Sequence, residues 1–200
     1  MTTIIAILGI AALVWVAWIF NRLVSLRNRL RSAWADVDAL LKRRADLVPN
    51  LVAAVRGYAG HERRTLEEVT EARAAAVGAG DDRAARAAAE NALTRRVHGL
   101  IAIAEAYPEL RASANFLQLQ SELVLTENDI ASARRYYNAV ARDLNTSRET
   151  FPNLLIAGAL GFGRAEFFEL TDIDERAAPD VDAERRTRDA GAERPAGEGA

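Results

Sequence analysis

The sequence predicts an all-α protein in which an N-terminal transmembrane helix continues into an up-and-down four-helix bundle, followed by a disordered acidic tail. Three observations support this prediction: an uncharged apolar run at the N-terminus, apolar residues spaced by three and four through the middle of the chain, and a charged C-terminal stretch without periodicity. Patterns typical of strands are nearly absent. We therefore divide the chain into an anchor at 1–21, a helical domain at 22–170 and a tail at 171–200.

The anchor prediction rests on residues 4–20, IIAILGIAALVWVAWIF, which are 17 residues without a charged side chain. As a helix they extend about 25 Å at ~1.5 Å per residue, close to the ~30 Å of a hydrocarbon core, so the span is placed at about 4–21. Trp15 and Trp18 lie toward its end, where aromatic rings favour the membrane interface. A cleaved signal peptide is the alternative, although the chain starts Met-Thr-Thr, without the basic residues typical of one.

The charges beside the span predict its orientation. Four arginines follow the span before the first acidic residue, Asp36, whereas only the amino terminus is positive before it. These arginines are Arg22, Arg27, Arg29 and Arg31. Because basic flanks stay in the cytoplasm, we expect a single-pass protein of the cell membrane with its N-terminus outside and its C-terminal domain in the cytoplasm.

Four amphipathic stripes predict the helices of the bundle. They run from Leu23 to Leu40, from Leu51 to Val69, from Leu93 to Tyr107 and from Phe116 to Phe151. Their spacing is typical of helices that bury one face, and of coiled-coil-like packing between antiparallel neighbours joined by short connections.

Proline, glycine and aspartate predict the breaks between these helices. Pro49 is expected to end the first helix near Leu47 and to open the next, with a kinked continuous helix as the alternative. Residues 78–82, GAGDD, supply a flexible exit and a carboxylate cap for the following helix. Pro108 predicts the third turn for the same reason, because proline is disfavoured in the interior of a helix.

The last two segments differ from the bundle. Residues 152–170 are apolar and rich in glycine, and we expect them to pack on the bundle as a short helix. The alternative is an interfacial element whose Phe162, Phe167 and Phe168 contact lipid or a partner. Residues 171–200 carry nine acidic and five basic side chains and few large apolar ones, a composition that predicts disorder.

Long ordered motifs in the chain strongly resemble the LemA family. They are RNRLRSAWADVDALLKRRADLVPNLVAAVRGYAGHERRTLEEVTEAR at 27–73, AYPELRASANFLQLQSELVLTENDIASARRYYNAVARDLN at 106–145 and GFGRAEFFE at 161–169. The resemblance implies a bacterial membrane protein with one N-terminal span and a four-helix bundle. It implies no established active site, because the molecular function of the family is uncertain.

Composition excludes several chemistries. The net charge of −2 disfavours a nucleic-acid binder, and the absence of cysteine excludes disulfides, thiol nucleophiles and iron–sulfur sites. Arg134 and Arg135 precede two tyrosines, a combination that can stack on nucleic acid, but exposed arginines beside a core tyrosine are the simpler interpretation. We expect no nucleic acid, and we keep both arginines with the three phenylalanines above as interaction candidates.

A metal site is a weak hypothesis. His61 and Glu62 begin like the zinc-protease pattern H-E-x-x-H, but Thr65 stands where the second histidine belongs. His98 lies on another predicted helix and nothing requires it to meet His61. We therefore predict no cofactor and treat His61, Glu62 and His98 as surface or inter-helix hydrogen-bonding groups.

A buried polar network is the sharper hypothesis. Arg44 continues the apolar stripe of the first helix, so its guanidinium should enter the seam of the bundle and require a carboxylate. Glu127 and Asn128, beside the polar break at Thr126, are the expected partners that set helix register. The same residues could instead line a polar ligand pocket.

Two classes of function remain. The first is a non-catalytic, membrane-tethered scaffold or adaptor that binds other proteins, with homo-oligomerisation also open. The second is a ligand or metal sensor, or an enzyme, with a site in the bundle core, although the paired Glu-x-x-His motifs of di-metal bundles are missing. A protein that remodels lipid through 154–168 is a third possibility.

Overall fold

A computed structural model describes residues 1–170. The helices are α1 (Thr2–Tyr58), α2 (Arg63–Gly78), α3 (Arg83–Ala104), α4 (Pro108–Arg111), α5 (Ala114–Glu149) and α6 (Leu154–Ala157). No strand occurs in this part of the chain, which confirms the all-α prediction there. The predicted disorder of residues 171–200 lies outside the described residues.

The predicted break at Pro49 is wrong, because α1 is one continuous helix of 57 residues with Pro49 inside it. A proline cannot donate to the carbonyl four residues before it, here that of Ala45. The Nε of Arg73 on α2 donates to this Ala45 carbonyl oxygen at 2.6 Å. A side chain from a neighbouring helix thus replaces the missing backbone donor, which sequence spacing alone does not reveal.

The two parts of α1 differ in exposure. The large apolar side chains from Ile4 to Leu13 are 62–72% exposed, so the chain itself covers little of their surface. From Ile19 onward, one face of the same helix is buried. By length and composition, α1 contains a stretch that is able to cross a membrane.

The long helices α1 and α5 pack antiparallel along most of α5. Leu23 of α1 shares an apolar cluster with Leu144 near the end of α5, and Val37 shares another with Ile130. At the far end, α2, α3 and α4 join these two helices around a larger cluster, which includes Val55, Leu66, Leu100, Leu110 and Phe116. Asp82 caps α3 by accepting from the backbone amides of Ala84 and Ala85, at 2.8 and 3.0 Å.

Residues 158–170 run back along α5 without forming a strand. The Asn145 side chain donates to the Ala165 carbonyl at 2.9 Å and accepts from the Ala165 amide at 2.8 Å. The Asn138 side chain likewise donates to the Phe168 carbonyl at 3.0 Å and accepts from the Phe168 amide at 2.9 Å. The seven-residue separation between Asn138 and Asn145 spans about 10 Å along the helix, and the three-residue separation between Ala165 and Phe168 spans about the same length in an extended chain. The two asparagines therefore have the same spacing as the backbone groups that they bind. Segment 152–170 therefore packs on the bundle, but only 154–157 within it are helical.

Candidate functional site

A buried ionic network connects α1, α3 and α5. Arg44, with only 1% of its side chain exposed, donates through Nη1 to both carboxylate oxygens of Glu127 at 2.9 and 3.1 Å and to the Thr94 hydroxyl at 2.7 Å. Its Nη2 donates to Glu90, at 2.5 Å to the carboxylate and 3.3 Å to the backbone carbonyl. The guanidinium therefore lies between two carboxylates from different helices.

A second arginine extends the network toward the surface. Arg86 donates through Nε to the other carboxylate oxygen of Glu90 at 3.1 Å and through Nη2 to Asp38 at 2.9 Å. Glu90 is almost fully buried and accepts from both guanidinium groups, which compensates the cost of removing its charge from water. We call Asp38, Arg44, Arg86, Glu90 and Glu127 the ionic network.

Sequence reasoning placed Arg44 and Glu127 together, and the structure pairs them. Asn128, the third predicted member, is exposed on the outer side of α5. Asp38, Arg86 and Glu90 were missed, although Glu90 interrupts an apolar stripe of α3 and lies four residues after Arg86. That polar interruption is the signal that could have identified it.

The network is suited to fixing helix positions. Both oxygens of Glu90 and both terminal nitrogens of Arg44 are already engaged by protein groups. Buried charged pairs add little net stability over apolar packing, but the loss of one partner leaves an uncompensated charge. The geometry therefore penalises any sliding of α1, α3 and α5 past one another.

The predicted metal candidates lie on the surface. His61 is exposed in the turn before α2, Glu62 is the N-cap residue of that helix, and His98 is exposed on α3. Among residues 1–170, no three histidine, aspartate or glutamate side chains form a group able to hold a metal ion.

The interaction candidates have different environments. Phe162 and Phe168 are buried, the latter against the ring of Trp34 at a centroid distance of 5.1 Å, whereas Phe167 is partly exposed. Their burial leaves Phe162 and Phe168 no surface for a partner in this conformation. Arg134 donates to the Leu170 carbonyl, and Arg135 donates to Ser132 at 3.0 Å. Tyr136, the first of the two tyrosines after these arginines, is exposed.

A polar cleft of about 590 Å³ lies where α1 leaves the apolar span. It is lined by Arg22, Ser25 and Arg29 of α1 and by Asp143, Thr146 and Thr150 toward the end of α5. Within residues 1–170, neither of these arginines forms an ion pair with a carboxylate. The Arg22 guanidinium lies 5.6 Å from the centre of the Trp18 ring.

An ion-pair cluster on the outer surface joins α2 and α3. Glu68 accepts from Arg64 at 2.9 Å and from Arg96 at 2.7 Å. The hydrogen bond from Arg64 lowers the pKa of Glu68 below its usual value, helped by the positive charges of Arg96 and Arg64. Because these groups are largely in water, the cluster contributes modestly to stability.

Comparison with known proteins gives a consistent family assignment. The sequence model of the LemA family matches residues 33–182. Protein LemA of Metamycoplasma hominis is 26% identical over 154 residues, which cover 77% of this chain and 70% of the relative. Magnetosome protein MamQ 2 of Paramagnetospirillum magneticum is 23% identical, and magnetosome protein MamQ of Magnetospirillum gryphiswaldense is 25% identical. These two alignments cover 75% and 74% of this chain but only 64% of each relative, so this chain spans about two thirds of their length.

Proposed function

The chain belongs to the LemA family, and on that premise we propose that it is a non-catalytic scaffold or adaptor, tethered to the inner membrane by one span. The continuity of α1 supports this proposal best. The same helix carries an exposed apolar stretch at its start and one face of the domain core after Ile19, with no loop between them. A domain fixed to its anchor in this way is held at a set distance and orientation from the membrane.

The proposal includes the finer architecture. The four long helices α1, α2, α3 and α5 are arranged up and down, and the ionic network holds three of them in register. The four arginines that follow the span support a cytoplasmic location for the domain. The span would cross the membrane once, with the N-terminus outside.

A partner surface is available on α5. In the first half of α5, three large apolar side chains are at least half exposed, namely Leu117, Val124 and Leu125. Exposed apolar side chains grouped on one surface are typical of protein contact sites. Nine acidic against five basic residues at 171–200 further favour a partner with a basic surface.

Site-specific photo-crosslinking in native membranes tests the proposal. A photo-reactive amino acid replaces Leu125, and the control carries it at Val77 on α2, because both side chains are 58% exposed. We expect adducts with a distinct protein from position 125 and none of that species from position 77. Identical adduct patterns at both positions, or adducts only between copies of this chain, would contradict the adaptor function.

Affinity purification adds a second comparison. The full chain is compared with a variant lacking 171–200 and a variant lacking 151–170. We expect the crosslinked partner to be recovered with the full chain and lost or reduced when residues 171–200 are removed. Equal recovery of the partner with and without residues 171–200 would show that these residues do not contribute to partner binding.

A further inference from the structure

The corner between α5 and α6 exposes apolar side chains in an uncharged segment. Residues 151–163, FPNLLIAGALGFG, contain no acidic or basic side chain. Phe151, Leu154 and Leu155 at this corner are 75%, 56% and 69% exposed. We call these three residues the apolar corner. Three large apolar side chains together at one loop are costly to leave in water.

The register of α1 and α5 places this corner at the end of the apolar span. Arg44 and Glu127 face each other across the two antiparallel helices. Glu149, the last residue of α5, lies 22 residues beyond Glu127, and Arg22 lies 22 residues before Arg44. Because both helices rise by the same amount per residue, α5 ends level with Arg22, the first charged residue after the apolar stretch. The apolar corner follows directly.

Direct contacts fix the corner at that level. Ala157 and Phe162 share an apolar cluster with Ile19 and Leu23 of α1, and the rings of Phe20 and Phe162 are 5.9 Å apart. Arg148 near the end of α5 donates to the Phe162 carbonyl at 2.8 Å. One side of the segment is therefore packed against α1, while the apolar corner faces outward beside the span.

Two arginines of α1 lie near the corner on its domain side. Arg22 and Arg29 line the polar cleft described above, and neither forms an ion pair within residues 1–170. The stacking of Arg22 on Trp18 places a cation and an indole at the same level, as is typical of a membrane interface. Anionic headgroups would neutralise these arginines, and the adjacent acyl chains would cover the apolar corner.

From these contacts we infer a second membrane contact: the apolar corner inserts into the leaflet from which α1 emerges, with Arg22 and Arg29 facing anionic phospholipid headgroups. This inference rests on the proposed anchoring by residues 4–20. It adds a contact that prevents the domain from rotating about the axis of α1, since two points of attachment define an orientation. The partner surface at Leu125 then faces a fixed direction relative to the membrane.

The absence of cysteine allows single-thiol reporters in the full chain. Leu154→Cys, Leu125→Cys and Leu13→Cys are each labelled with an environment-sensitive dye and reconstituted in vesicles of phosphatidylcholine and phosphatidylglycerol. Leu154 tests the apolar corner, Leu125 is its control matched in exposure (56% and 58%), and Leu13 reports on the span. Quencher groups on the lipid acyl chains then report contact with the hydrocarbon region.

We expect strong quenching at positions 13 and 154 and several-fold weaker quenching at position 125. Quenching at 13 with equal, weak quenching at 154 and 125 would overturn the second contact and leave the anchor intact. No quenching at any position would overturn the anchor itself. A blue-shifted dye at position 154 that lipid quenchers do not reach would show that protein covers the corner, which also contradicts the inference. Equal quenching at 154 in vesicles of phosphatidylcholine alone would overturn the role of anionic headgroups.

Discussion

Removing Arg44 tests the ionic network most sharply. Arg44→Met keeps the unbranched stem of the side chain but removes the hydrogen bonds from Arg44 to Glu90, Thr94 and Glu127. Breaking a buried ion pair costs about 3–5 kcal/mol, because the remaining charge is left uncompensated. Two details place the cost at the lower end, about 3 kcal/mol: Glu90 keeps its contact with Arg86, and Glu127 is already 29% exposed to water.

The assay is thermal unfolding of the full chain in detergent, followed by circular dichroism. For a chain of this size, about 3 kcal/mol corresponds to a fall in Tm of about 6–12 °C. The matched control is Arg43→Met, since Arg43 is the exposed neighbour in the same helix and its loss should change stability by less than ~0.5 kcal/mol. Glu127→Gln should lie between the two. Equal Tm values for Arg44→Met and Arg43→Met would contradict this prediction, because the buried charges would then contribute nothing to the stability of the fold.

Three further predictions concern single contacts, each measured by unfolding of the full chain in detergent. Arg73→Met should lower the free energy of unfolding by about 1–3 kcal/mol, because it leaves the buried Ala45 carbonyl unpaired. The loss should be smaller in a chain that also carries Pro49→Ala, since alanine restores the backbone donor. Equal losses with and without Pro49→Ala would contradict this explanation. Asp82→Ala should cost about 1 kcal/mol as a lost N-cap and Asp82→Asn much less, so equal losses would point to another role. The pKa of Glu68 is lower in the folded state than in the unfolded chain. Glu68 should therefore make the protein more stable than Glu68→Gln at a pH above the pKa of the unfolded chain, and this difference should disappear as the pH falls through the folded pKa. A difference that grows toward acidic pH would have the wrong sign.

The sequence predicted the helical fold from periodicity, because an amphipathic helix records its buried face in the spacing of its apolar residues. Pro49 misled that prediction because the donor it lacks is replaced by Arg73 on another helix, 28 positions after the Ala45 carbonyl that it satisfies. Local propensity describes a residue's own backbone, whereas a donor supplied by a neighbouring helix depends on the tertiary structure.

The ionic network was partly predictable, because a charged residue on an apolar stripe is visible in the sequence. Arg44 falls on an apolar stripe, so its burial and its need for a carboxylate follow from the sequence. The choice of Glu90 as second partner depends on how α3 packs against α1, which spacing within either helix does not specify. The pairing of Asn138 with Phe168 and of Asn145 with Ala165 likewise depends on the path of the returning segment.

In the proposed topology, a single span holds the helical domain on the cytoplasmic side of the membrane. The most direct test uses the full chain with Leu125→Cys as its single thiol and a membrane-impermeant thiol reagent, applied to spheroplasts and to inside-out inner-membrane vesicles. We expect labelling in the inside-out vesicles and protection in spheroplasts until the membrane is permeabilised. Labelling of the intact spheroplasts, or release of the chain from the vesicles by alkaline carbonate, would contradict it.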